Sequence, residues 1–178
     1  MNELIQTYKP VQIDFYPQIP PLEKVKDKTK IDVRYCLIAP FAYVHIYWNE
    51  KKYELVYEIE EPILNIEEEG YKEKLSSAMR DLINIEQVID KTKDALLDYI
   101  DRRFKLLAVE FDMDIPYDSY KKIFYYLCRD FMGINEIEPI LKDYYVEDIE
   151  CNGSNAPVYI IHRIYRNIRT NLSFNNVD

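Results

Sequence analysis

Glycine is almost missing from this chain. Gly70, Gly133 and Gly153 are the three in 178 residues, so no G-x-x-x-x-G-K-[ST] loop exists. Without it the chain has no cradle of backbone N–H groups for phosphate and no loop hydroxyl for magnesium. Cysteine is scarce and odd in number. Cys36, Cys128 and Cys151 lie far apart with no C-x-x-C pair. That argues against a disulfide framework or a zinc site and predicts reduced, mostly buried thiols in a cytosolic protein. The two histidines, His45 and His162, have no metal-binding spacing. Positive charge is also short, at a formal net charge of −9. Binding nucleic acid over most of the surface is disfavoured, because neutralising phosphates needs a concentrated basic face. The uncharged run 35–48 is too short to span a bilayer and contains Pro40. The opening M-N-E-L-I-Q-T-Y-K-P has no basic end followed by an apolar run, so no signal peptide is read. Any membrane association would be peripheral.

What is present is an ordinary globular balance, 48% apolar and 31% charged, with seventeen tyrosines. The length suits one domain or two small ones sharing a core. Residues 1–30 carry Pro10, Pro17, Pro20 and Pro21. That density precludes a long helix and predicts an extended arm docked by Ile13, Phe15 and Ile19, the alternative being a partly disordered tail.

From Ile31 the apolar period becomes two: Ile31, Val33, Tyr35 and Leu37 alternate with Asp32, Arg34 and Cys36. Pro40 breaks this strand. Residues 41–48 and 53–59 supply two more around the polar turn 49–52, giving an antiparallel meander over 31–64. The glutamates at 58, 60, 61 and 67–69 match no calcium loop and read as a solvated loop feeding a helix N-terminus. Over 65–115 the stripes Leu75, Met79, Leu82, Ile83, Val88, Ile89 and then Leu96, Leu97, Ile100, Phe104, Leu107, Phe111 predict a helical hairpin bending near Asn84. On its second helix, Arg102, Arg103 and Lys105 read as solvated charges in local ion pairs. After Pro116, Asp118 or Ser119 is expected to cap a third helix with core residues Tyr120, Ile123, Phe124, Leu127 and Phe131. Gly133 would end that helix in a left-handed conformation.

The last stretch concentrates the signals. A short helical turn over 137–142 begins near Pro139. Residues 146–151 read as a strand, Asn152-Gly153 as a turn, 158–163 as a second strand and 168–174 as a third after a bend near Arg166-Asn167. The class is therefore α+β: N-terminal antiparallel strands, a helical hairpin or bundle, then over 116–178 a helix feeding a small PAS-like three-stranded unit, truncated at the C-terminus. Glu147 and Asp148 are neighbours on a strand and point to opposite faces, which favours structural roles over a catalytic pair. His162 falls on the apolar-alternating face and reads as a hydrogen-bonded structural histidine, because no nucleophile partner is indicated.

The order G-I-N-E-I-E-P-I-L-K-D-Y-Y-V-E-D-I-E-C-N-G, P-V-Y-I-I-H-R-I-Y, R-T-N-L-S-F resembles the N-terminal domain of archaeal type II/IV secretion-type ATPases, the motors of pilus and archaellum assembly. The resemblance is strong over 120–174 and looser over 31–62. It implies a cytoplasmic hexamer, peripheral at the membrane, whose ATP and Mg are held by a C-terminal RecA-like domain that this chain lacks. Implied partners are that domain, neighbouring subunits and a polytopic membrane assembly protein, with no nucleic acid. In such motors N-terminal-domain arginines reach the nucleotide at the domain interface, which makes Arg163, Arg166 and Arg169 the candidate contacts. A charged guanidinium fork suits phosphate oxygens. Their other reading is as surface arginines paired with the excess carboxylates. No catalytic residue and no metal ligand is assigned. A stand-alone adaptor or regulatory binding module of the same fold is the second functional reading.

Overall fold

The computed structural model describes residues 2–83 and 92–174 and belongs to the α+β class. Among the described residues four α-helices, α1 Ile66–Ile83, α2 Lys93–Glu110, α3 Tyr117–Met132 and α4 Glu138–Leu141, accompany six strands. These are β1 Asp32–Ile38, β2 Ala42–Asn49, β3 Glu54–Glu60, β4 Val146–Glu150, β5 Pro157–His162 and β6 Arg166–Ser173. Among the described residues no helix is long and apolar enough to cross a membrane. The chain divides into two compact units, one taking residues up to Gln12 and Pro62–Asn135, the other Ile13–Glu61 and the residues from Glu136 on.

In the first unit α1, α2 and α3 pack on one another around Leu75, Met79, Ile100, Phe104, Leu107, Tyr120, Ile123, Phe124 and Leu127, all buried. This is the face that the 3.6-residue period marks. The expected bend near Asn84 and the positions Val88 and Ile89 lie outside the described residues. Helix α1 opens with a reciprocal cap: Asn65 Oδ1 accepts the Glu68 N–H at 2.9 Å, and Glu68 Oε2 accepts the Asn65 N–H at 2.8 Å. Each satisfies an orphan donor of the first turn. Glu68 is buried and also accepts from Ser119 Oγ (2.7 Å) and Lys122 Nζ (3.1 Å). Burial raises its carboxyl pKa, but these hydrogen bonds outweigh that effect and hold it below the usual value.

Neither Asp118 nor Ser119 caps α3. Pro116 occupies the cap position without a side-chain bond, because Ser119 is spent on Glu68 and Asp118 pairs with Lys121 (2.7 Å). Gly133 is extended (φ −120°) rather than left-handed. Its N–H closes on the Arg129 carbonyl at 3.1 Å, and the positive φ falls two residues later, at Asn135. On α2 the charges do form local pairs, Arg102 with Asp98 and Lys105 with Asp101. Lys105 is nevertheless mostly buried, its ammonium also bonded to the Tyr8 carbonyl at 2.8 Å.

In the second unit the meander and the C-terminal strands form one six-stranded sheet, in the order β1-β2-β3-β6-β5-β4. All neighbours are antiparallel except β3 and β6, which run parallel and pair at Val56↔Arg169 and Tyr57↔Thr170. Alternation places Tyr35, Leu37, Val44, Ile46, Tyr57, Ile59, Val158, Ile160, His162 and Ile168 in the core. The expected extended arm holds only between two short 3-10 helices, Asn2–Thr7 and Lys28–Lys30; in this unit its Ile13 and Phe15 are buried and Ile19 half-buried. Asp14 and Ala39 exchange backbone bonds of 3.0 and 2.8 Å. The thiols are less buried than the composition suggests. Cys128 is buried, Cys36 half-buried and Cys151 exposed.

Candidate functional site

The segment 138–170 builds its own scaffold before it presents any surface. Asp143, directly after α4, is buried and accepts three bonds: from Tyr35 Oη (2.6 Å), Tyr57 Oη (2.8 Å) and the Tyr145 N–H (2.8 Å). Burial lifts its carboxyl above the ordinary value, and the three donors only partly offset that. Glu138 and Lys142 pair at 2.8 Å across one helical turn. The polar residues of the I-E-P-I-L-K-D run therefore hold the turn between α4 and β4 in place.

His162 ends β5. Its Nδ1 accepts the N–H groups of Ile164 (3.3 Å) and Tyr165 (3.2 Å), pinning the three-residue loop between β5 and β6. The ring stacks between Tyr145 and Tyr165, at centroid distances of 5.4 and 4.9 Å. With Nδ1 accepting, the proton sits on Nε2, which is buried with no hydrogen-bond partner. Desolvation pushes the imidazole pKa down to about 4, so the ring is neutral at pH 7. The two tyrosines reach on to the arm: Tyr145 Oη donates to the Pro20 carbonyl and accepts the Leu22 N–H (3.1 and 3.0 Å), and Tyr165 Oη donates to the Glu23 carbonyl (3.2 Å).

On this frame the three arginines go separate ways. Arg163, in the β5–β6 loop, lies 3.7 Å from Glu147 of β4, its guanidinium 4.4 Å above the Tyr144 ring. Arg166 is exposed, with φ +70° at the first position of β6, a left-handed residue that closes a three-residue hairpin loop. Arg169, three residues on along a strand, faces the other side of the sheet and bonds Glu54 of β3 at 3.3 Å. Their carboxylate partners thus sit on opposite flanks of the β5–β6 pair. Arg169 lines a groove of about 380 Å³ over the β3–β6 seam, shared with Tyr47, Lys52, Glu58, Asn155 and Asn171.

Asn171 is a residue that the sequence reading passed over. Its Oδ1 accepts the Ile59 N–H (2.9 Å) and its Nδ2 donates to the Ile59 carbonyl (3.0 Å). The side chain thereby continues the parallel ladder where strand pairing stops. A polar residue in an R-T-N-L-S alternation looks like any solvent-facing position, so no local signal marked it. Glu147 and Asp148 are both exposed and turn to different partners, Arg163 and the Ile149 N–H (2.9 Å). Among the described residues no group of three His, Cys, Asp or Glu side chains is placed to hold a metal ion. His45 pairs with Asp32 at 2.7 Å.

No protein-family model matches the chain. The uncharacterized protein MJ1288 of Methanocaldococcus jannaschii is 33% identical to it over 125 residues, 70% of this chain and 47% of that protein. The chain therefore spans about half the length of the curated relative it matches.

Proposed function

We propose that this chain is the N-terminal, non-catalytic part of a hexameric secretion-, pilus- or archaellum-assembly ATPase, cytoplasmic and peripheral at the membrane. It couples ATP hydrolysis in a C-terminal RecA-like domain to membrane-embedded assembly partners. The run G-I-N-E-I-E-P-I-L-K-D through R-T-N-L-S-F carries this reading. Two further observations support it. From Glu138 on, the run supplies α4, β4 and the β5–β6 hairpin, with His162 bracing the hairpin loop and Asp143 tying the segment to Tyr35 and Tyr57 of the meander. Arg163 and Arg169 are half-exposed and paired to single carboxylates, contacts worth about 1 kcal/mol or less that a phosphate can displace.

ATP and Mg belong to the RecA-like domain, since this sequence has no phosphate loop. The chain's own part is to aim an arginine at the shared boundary, where a fixed cation stabilises charge developing on phosphate oxygens. Purified alone, the 178-residue chain is expected to show no ATP turnover and at most feeble nucleotide binding. In the full-length gene product, alanine at Arg163, Arg166 and Arg169 together is expected to lower turnover about 10- to 1,000-fold if one of them serves as such a donor. Robust turnover by the isolated chain, or unchanged turnover in the triple variant, would overturn this assignment. A full-length product without ATPase activity would favour an adaptor of the same fold.

A further inference from the structure

The six-stranded sheet has two outer strands, β1 and β4. A strand in that position presents backbone donors and acceptors that another chain can pair with. At the β1 end the arm is already bonded, through the Asp14–Ala39 bridge. The β4 end is different in three respects. Its bulge falls between Val146 and Asp148, so Asp148, Ile149 and Glu150 keep regular register with Ile161, Ile160 and Tyr159 on the inner side. A groove of about 320 Å³ runs beside it, with Ile140 and Leu141 of α4 and Val146 and Ile149 of β4 supplying apolar wall and Glu147 and Asp148 the acidic rim. Leu141 and Tyr144 nearby are 48% and 64% exposed.

We propose that β4 is a docking strand for an extended segment of a partner protein in which basic residues alternate with apolar ones. In such a segment the two sets of side chains point to opposite faces. The apolar set fills the groove, and the basic set meets Asp148 and Glu150, which share one face of β4, with Glu147 in the bulge beside them. Main-chain pairing supplies affinity, and the alternate side chains supply specificity. The Ile149 N–H is bonded to the Asp148 carboxylate, an interaction that an incoming carbonyl replaces, releasing Asp148 toward a lysine or arginine. Arg163 beside this rim is 3.7 Å from Glu147 and 42% exposed, too weak a pairing to neutralise three acids. A second copy of this chain is a poor occupant, because pairing β4 with itself brings like charges together. The β4 edge is a property of this chain, whether or not the chain belongs to a motor.

The test uses the whole chain and a fluorescein-labelled ten-residue peptide of alternating Lys and Val, read by anisotropy near physiological salt. Two controls accompany it: the same peptide with proline in place of every second valine, and an alternating Glu and Val peptide. The Lys–Val peptide is expected to bind and to protect the amides of residues 147–150 from hydrogen exchange. The proline peptide, which keeps the charge but loses the N–H groups at the substituted positions and with them the regular strand ladder, should bind at least about tenfold more weakly. The Glu–Val peptide should not bind. Glu147→Lys with Asp148→Lys should weaken Lys–Val binding at least about tenfold. Equal binding of the proline peptide would reduce the effect to charge attraction and overturn the proposal. So would absent amide protection, undiminished binding by the charge-reversed chain, or sedimentation showing a dimer of the free chain that Glu147→Lys dissociates. The exchange measurement on the unmodified chain decides the matter even where the double variant does not fold.

Discussion

At the scale of single residues, two buried groups test how the second unit is held. Asp143 accepts from two buried tyrosine hydroxyls. Asp143→Ala leaves both without an acceptor, and each orphaned donor costs about 1 to 3 kcal/mol. Urea unfolding should show a loss of that order. Replacing Tyr35 and Tyr57 with Phe alongside Asp143→Leu should recover much of it, since of the three donors only the Tyr145 N–H is then left to satisfy. His162 predicts a pH dependence. Its folded-state pKa of about 4 lies below the ordinary 6.5, so between those values the unfolded chain binds a proton that the folded chain refuses. Stability is therefore full above pH 6.5 and falls as the pH drops toward 4, by up to about 3 kcal/mol from this group. Asp143, with its carboxyl pKa raised by burial, works in the opposite sense. The comparison that isolates the histidine is wild type against His162→Asn, which keeps an acceptor but does not titrate. The loss in urea midpoint between pH 7 and 4.5 should be smaller in the variant by His162's share.

His162 was legible in the sequence because β5 alternates cleanly, and the alternation placed it with Val158 and Ile160. Asp143 was not legible. It lies between Lys142 and Tyr144 in no period, and the tyrosines that make its burial tolerable are 108 and 86 residues away. The arginine spacing of three was visible, but its meaning depended on strand geometry. An odd step along β6 sends Arg166 and Arg169 to different faces.

At the scale of elements, the strands and the apolar helix stripes followed from their periods, while the ends of elements did not. Gly133 suited a left-handed stop by composition, yet Asn135 takes the positive φ. The α1 cap was written in the sequence as Asn65-x-x-Glu68 and was overlooked among the surrounding glutamates. Asn65→Ala should cost about 1 kcal/mol in unfolding free energy. The parallel seam offers a sharper measurement. Asn171→Ala removes both bonds to the Ile59 backbone, so the Ile59 amide should exchange faster by about one to two orders of magnitude, with about 1 to 2 kcal/mol lost globally.

At the scale of the whole molecule, the excess of acid makes a simple prediction. A labelled DNA duplex at physiological salt should give no detectable binding, because a net charge of −9 opposes approach to the phosphates. Micromolar retention of the duplex would contradict that. The α+β class was legible from the switch between two periods, but the union of meander and C-terminal strands in one sheet was not. That union rests on β3 meeting β6, where the bonded Ile59 and Asn171 are 112 positions apart in sequence, and no local pattern announces so distant a partner.

The same seam sets a timetable. During synthesis β1, β2 and β3 leave the ribosome early and can zip into their meander, but β3 stays bare on its inner side until Arg166–Ser173 has emerged. For that interval the nascent chain carries an open strand whose alternate residues Leu55, Tyr57 and Ile59 are apolar, the kind of edge that captures neighbours. Chains stopped shortly before Arg166 should keep that edge permanently and collect in the insoluble fraction, whereas chains extended through Phe174 should not.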